Sequence, residues 1–360
     1  MIDAGSKLFA LGATLMPFGS IIAAAPDSVQ SAAASPAVPG WTEFLDGLRD
    51  LPDRVLARLP PEQRNDPQIQ EEVGRLALSA VTAAAIDALA SDPDHPVFIP
   101  QINNYITLGQ PNADTSYGYS GSWWQLDPTT DTLLVRMVGS DWDKELEPTL
   151  SIERLDVPAS RPRLPAKALE QKLRSIPAAA DFIAPLLVDR PEKLRTEGYL
   201  NKLKEVDLSR MGGLAGQFYY EGAYALKDDE ALILETSVPE KCAYRSLILT
   251  NDVYETTDWY NNNSSLNGAQ APADNDGILR IVVSARDPGV PNWLDTAGYQ
   301  TGVIQGRWLD CSSQPVPSVK KVLLKDVRKS LPAATPEISA KERDEQVRDR
   351  RAALQQRPLW

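Results

Sequence analysis

The chain has one histidine, His95, and two cysteines, Cys242 and Cys311, among 360 residues. A single histidine leaves no Ser-His-Asp machinery unless His95 is itself the base, and no histidine- or cysteine-rich metal site. Two cysteines make no disulfide scaffold, although one bridge between them stays open. Positive charge is also short: 37 Lys and Arg against 49 Asp and Glu give a net charge of −12. That balance repels phosphate backbones and anionic lipid, so nucleic acid is excluded as an expected partner. No GxGxxG opens a strand-turn-helix and no Walker loop occurs, so no redox cofactor or nucleotide is expected.

What is present describes a folded chain. The composition, 42% hydrophobic and 24% charged, excludes disorder, collagen and coiled coil. Residues 8–25 are uncharged and mostly apolar and end in Ala23-Ala24-Ala25, with a Ser/Ala/Pro linker following to residue 40. This favours an export signal over a cytoplasmic start, and Pro17 and Gly19 argue against a transmembrane helix. Trp41 to Leu59 carries apolar residues at spacings of three and four, an amphipathic pattern broken at Pro52. Residues 68–90 read as a buried helix ending before Asp92-Pro93.

From Val97 the texture changes to short runs rich in aromatic and β-branched residues, punctuated by Gly, Pro and Asn: strands joined by tight turns. A helical stretch over 165–210 follows, with Pro165, Pro177, Pro185 and Pro191 marking starts and breaks. Strands then return, and EALILETSV (230–238) suits a strand buried on both faces. Ser339 and Glu342 form a capping box before a charged, solvent-facing helix whose Ile338, Val347 and Leu354 touch the body.

The order helices, strands, helices, strands, helix predicts α+β with mostly antiparallel pairing. A β-sandwich or jelly-roll-like carboxy-terminal half is expected, with amino-terminal and middle helical segments and a carboxy-terminal helix. The segments divide as 1–40 signal and linker, 41–160 helix then β region, 161–215 helical insert, 216–325 β-rich domain and 326–360 terminal helix. His95, in a turn between helix and strand, is expected at the surface. Nothing here sets an oligomeric state.

Between Asp229 and Trp308 a set of short motifs recurs at turns and strand ends. Glu235 follows a buried strand, and Ser265-Leu266-Asn267 precedes an Asp276-Gly277 turn. Asp287-Pro288-Gly289 makes a second turn, and Asn292-Trp293-Leu294-Asp295 leads to the Arg307-Trp308 strand. This block resembles the bacterial domain of unknown function 1214 family. Trp41 and Phe44, and the PNADTSYGYSGSW stretch (111–123), resemble the family's amino-terminal pattern, with Ala113 where the family carries proline. The resemblance spans about residues 41–350 and implies an architecture more than a reaction.

Glu235, Asp295 and Asp114 are the candidate catalytic carboxylates, because a carboxyl at the end of an apolar strand is desolvated and can serve as a general acid. Asn112, Tyr117, Trp124, Asn292, Trp293 and Arg307 are candidate substrate-binding residues, short polar groups and aromatic walls with one cation to anchor an oxygen. The implied function is histidine-free acid/base chemistry: a hydrolase, lyase or isomerase acting on an oxygenated, largely apolar small molecule. The competing reading is an exported, non-catalytic β-sandwich that binds a sugar or lipid. Calcium is the one metal the residues leave open, through Asn261-Asn262-Asn263 and Asp274-Asn275-Asp276, although these lack the EF-hand spacing. Each candidate also has a plain structural role: Glu235 paired with an arginine such as Arg245 or Arg307, Asn292 and Asp295 capping backbone amides, and the tryptophans packed in the core.

Overall fold

Seven helices and eleven strands are assigned among the residues that the computed structural model describes: 38–90, 111–112, 123–124, 139–141, 144–145, 165–207 and 217–356. The amino-terminal amphipathic pattern forms α1 (Trp41–Leu48) and α2 (Leu51–Leu56), with Pro52 in the first turn of α2, where a missing N–H costs nothing. The long helix α3 (Pro67–Ala90) packs against α4 (Ala166–Val188). Their shared core includes Leu51, Val55, Leu76, Ala80, Ile176, Ala180 and Ala184.

Pro177 and Pro185 do not break the helical stretch as the sequence suggested, because α4 runs through both. Pro177 is buried, and Gly47 of α1 makes room for it: a Cβ at position 47 would sit 2.7 Å from the proline ring. Packing thus offsets the lost backbone hydrogen bond. Helix α5 (Arg190–Thr196) follows, with Pro191 in its first turn.

Two short strands, β1 (Pro111–Asn112) and β2 (Trp123–Trp124), pair antiparallel. The other nine are β3 (Lys204–Val206), β4 (Gln217–Ala225), β5 (Glu230–Ser237), β6 (Cys242–Thr250), β7 (Ser265–Asn267), β8 (Ile278–Ser284), β9 (Trp293–Asp295), β10 (Thr301–Cys311) and β11 (Ser318–Leu323). They form two sheets, ordered β3-β4-β10-β6-β7 and β11-β5-β8-β9. All pairs in them are antiparallel except β8 with β9.

Alternate residues of both sheets meet in one core: Tyr220 and Tyr224, Leu232 and Leu234, Leu247 and Leu249, Ile281 and Val283, Ile304 and Trp308. This is the two-layer packing of a sandwich, and it bears out the α+β expectation. Two glycines of β10 receive the tyrosines of β4. A Cβ on Gly306 would fall 2.1 Å from the Tyr220 ring, and one on Gly302 would fall 2.0 Å from the Thr250 carbonyl.

As expected, β5 is buried on both faces. Leu232 and Leu234 enter the sandwich core, while Ala231 and Ile233 lie under Val327 of α6 (Val327–Ser330) and Leu331. Cys242 and Cys311 occupy paired positions of β6 and β10 and are joined by a disulfide.

The capping box begins α7 (Ala340–Gln356): Ser339 N donates to Glu342 Oε2 at 2.8 Å. Ile338, Val347 and Leu354 are half-buried, but the deepest anchors are arginines. Arg343 is buried, donates to Asp287 Oδ2 at 2.9 Å and lies over the Trp293 ring. Arg350 donates to Ser265 Oγ at 2.8 Å and Asn263 Oδ1 at 2.8 Å. Among the described residues no helix is long and apolar enough to cross a membrane.

Candidate functional site

Glu235 and Asp295, two of the sequence-derived carboxylates, do not come together. Glu235 lies directly across from Arg280 and accepts from its Nε at 2.7 Å, with 42% of the Glu235 side chain exposed. The end of β5 therefore leaves this carboxyl part-exposed and ion-paired, and the desolvated acid expected there is corrected. Its partner is also neither Arg245 nor Arg307. Asp295 pairs with Ser284, four residues along β8 from Arg280. That offset alone separates the two backbone positions by about 13 Å along the strands.

Asp295 is desolvated, which raises its pKa, but its Oδ1 caps the loop by accepting from Ala297 N at 2.8 Å. Asn292 Nδ2 ties two backbone carbonyls, Pro272 O at 2.9 Å and Arg280 O at 3.0 Å. Trp293 is buried, and its Nε1 donates to Ser284 Oγ at 3.0 Å, so it is a packed residue rather than a ligand platform. Arg307 is half-buried with its guanidinium 5.3 Å from the Tyr219 ring centroid. Asn112 and Trp124 fall within the β1–β2 pair. Asp114, Tyr117 and His95 lie outside the described residues. The aspartates considered for calcium are engaged by Arg280, which contacts Asp274 at 2.7 Å and Asp276 at 2.8 Å. A guanidinium thus stands where a cation would be needed. No group of three or more metal-ligating side chains occurs among the described residues.

A different place gathers unusual chemistry. Where the helical layer meets the sandwich, a cleft of about 530 Å³ opens. One wall is α3, with Arg75, Leu76 and Ser79, joined by Leu187 of α4. The facing wall is the β6–β7 connection, with Asn251, Tyr254, Glu255 and Asp258, and Tyr299 comes from the β9–β10 connection.

Local geometry holds both connections. Asn251 Oδ1 accepts from Val253 N at 3.1 Å and Glu255 N at 2.9 Å, an Asx-type turn that presents Glu255. Tyr254 adopts φ 65° and Ala297 φ 53°, a left-handed conformation that costs bulky residues energy and is concentrated at functional sites. The strained tyrosine is fixed from below: its hydroxyl donates to Glu221 Oε2 at 2.7 Å and accepts from Gln305 Nε2 at 2.8 Å. Glu221 is buried and pairs with Arg190.

One carboxyl on the cleft wall, Glu255, and one buried beside it, Glu72, are the informative groups. Glu255 has 18% side-chain exposure, and burial raises its pKa against the opposing pull of Arg75, whose Nε lies 3.5 Å from Glu255 Oε2. One turn before Leu76, Glu72 is 1% exposed and burial raises its pKa too. Its Oε1 accepts from Gln68 Nε2 at 3.0 Å, while Oε2 has no hydrogen-bonded partner among the described residues. Tyr299 lies close enough for its phenol and the Glu72 carboxyl to shift one another, and the charge of Glu72 further raises Glu255. Two desolvated carboxyls thus stand with one guanidinium nearby, and the charge of Glu72 adds to what burial does at Glu255.

Sequence reasoning missed these residues, yet one signal was present. Glu72 stands on the apolar stripe of α3, three residues after Ile69 and four before Leu76, where a carboxylate has no place unless it is used or paired. Glu221, amid the apolar run of β4, carries the same signal.

No family model matches this sequence, and no curated protein does. Among solved structures, an uncharacterised protein from Burkholderia cenocepacia is similar, with a TM-score of 0.65 at 22% identity over 80% of this chain and 98% of that one. A protein from Vibrio parahaemolyticus aligns with a TM-score of 0.25 and 16% identity over 45% of this chain and 47% of that one. The first likeness shows the fold and nothing of the chemistry.

Proposed function

We propose that this protein is an acid/base enzyme, a hydrolase, lyase or isomerase of an oxygenated, largely apolar small molecule, working in the cleft between α3 and the sandwich. The observation that carries this reading is the coupled pair of desolvated carboxyls, Glu72 and Glu255, beside a cavity of about 530 Å³. Glu255, on the wall, would exchange the proton with substrate. Arg75 at 3.5 Å would steady its ionised form. Tyr299 would donate to a substrate oxygen, with Glu72 behind it holding a second proton. Leu76, Leu187 and the tyrosine rings would receive the apolar body.

Incubation with panels of acyl esters, lactones and hydroxyketones, read by mass spectrometry, tests the reading. At least one class should be converted, and Glu255→Gln should bind it while losing about 10²–10⁴-fold in rate. A compound that occupies the cleft and leaves chemically unchanged would favour a binding protein instead.

A further inference from the structure

Strand β11 forms one edge of the four-stranded sheet, and the ladder decides which of its backbone groups are used. Leu324 N donates to Asp229 O at 2.8 Å, which makes these two a hydrogen-bonded pair. In the same register Val322 with Ala231, Lys320 with Ile233 and Ser318 with Glu235 are hydrogen-bonded pairs too. The other side of β5 agrees. Val238 N donates to Gly277 O, and the same two-residue step assigns Leu234 and Leu232 to β8, leaving Ala231, Ile233 and Glu235 for β11. The N–H and C=O groups of Val319, Lys321 and Leu323 therefore point away from the sheet, and among the described residues no segment pairs with them.

The strip along this edge has the opposite charge to the chain. Residues 316–330 hold Lys320, Lys321, Lys325, Arg328 and Lys329 against Asp326 alone, in a chain of net charge −12. Lys321 pairs with Glu230 at 2.6 Å, Lys329 pairs with Asp326 at 2.8 Å, and Arg328 donates to the carbonyls of Ala333 and Thr335. Lys320 and Lys325 are exposed and enter no ion pair among the described residues. Leu323 is 43% exposed beside them. A second copy of the chain fits this edge badly. Antiparallel pairing about the middle outward residue sets Lys321 opposite Lys321, with a Lys320 on each side, and like charges in register repel. An acidic strand meets the reverse. The acids of the β4–β5 turn, Asp228 and Asp229, stand past the Leu323 end, so the carboxylate that suits this edge lies opposite Lys320.

We propose that β11 receives an extended, acidic segment of a partner protein as a fifth strand of this sheet. The segment's backbone takes the three free N–H and C=O pairs. A carboxylate on the face shared with Lys320 meets that ammonium, and an apolar side chain on the other face covers Leu323. The inference stands apart from the cleft, none of whose lining residues belongs to β11.

Fluorescence anisotropy of the full chain with a labelled peptide that alternates glutamate and valine tests this. Two control peptides accompany it: one with lysine in place of glutamate, and one N-methylated on the amides that would face β11. The glutamate peptide should bind at least about tenfold more tightly than the lysine peptide, and added salt should weaken it. The N-methylated peptide should not bind. Lys320→Glu, at an exposed position, should cut the affinity severalfold. Leu323→Pro removes one outward-facing donor while leaving the bonds to β5 in place, and should do the same; two variants are used so that a folding defect in one leaves the test intact. Equal binding of the lysine peptide, binding of the N-methylated peptide, or no binding of the glutamate peptide at millimolar concentration would overturn the proposal. So would sedimentation that shows a dimer dissolved by Leu323→Pro, because the edge would then belong to a second copy.

Discussion

The Tyr254 hydroxyl donates to Glu221 Oε2 at 2.7 Å, while Arg190 takes the other carboxylate oxygen. This contact joins the left-handed tyrosine on the cleft wall to the outer face of the five-stranded sheet. Replacing Glu221 by Ala strands a partly buried guanidinium and leaves the phenol, still held by Gln305, without the acceptor for its proton. The expected cost is about 3–5 kcal/mol in urea unfolding, the scale for removing one partner of a buried ion pair. Tyr254→Phe, which removes one neutral-to-charged hydrogen bond, should cost about 1.5–3 kcal/mol.

Glu235→Gln should be nearly silent. Its side chain is 42% exposed, and Arg280 keeps Asp274 and Asp276. The expected loss in chemical unfolding is below about 1 kcal/mol. Any activity found for this protein should survive the substitution, which separates the cleft from the site the sequence suggested.

The bridge between Cys242 and Cys311 closes a sequence separation of 69 residues. Loop-closure entropy assigns such a bridge about 4 kcal/mol. Unfolding with and without reductant should differ by a sizeable part of that, and intact mass should rise by two hydrogens on reduction. The bond suits an oxidising compartment.

The pH dependence has a definite sign at Glu72. Burial raises its carboxyl above the ordinary 4.5, so the folded chain binds that proton more tightly than the unfolded chain. Stability should therefore fall as pH rises from about 4.5 through the raised value, and stay reduced above it. Glu72→Gln removes the ionisation. It should flatten that decline and stabilise the protein at pH 8 by about 1–3 kcal/mol, measured by thermal unfolding at a series of pH values.

The fold was more legible in the sequence than the site. The Asp287-Pro288-Gly289 turn, with Gly289 at φ 72°, and the Ser339–Glu342 box are local chemistry, and each formed as read. Pro177 and Pro185 misled, because a buried helix tolerates proline when a neighbour such as Gly47 makes room. The charged run of α7 misled in part: Arg343 and Arg350, seven residues apart, dock the helix through neutral acceptors and one aspartate. Glu235 and Asp295 sit next to apolar strands as expected, but strand neighbours say nothing of what lies across the sheet. Arg280 opposite Glu235 is a register fact. The cleft is likewise assembled from α3 and two loops more than 170 residues away in sequence, and no local pattern announces that convergence.

Carboxyl titrations followed by carbon-13 NMR on glutamate-labelled protein test the central claim most directly. Glu72 and Glu255 should both titrate above 4.5, and Glu72→Gln should lower the midpoint of Glu255. Two independent midpoints at or below 4.5 would contradict the account.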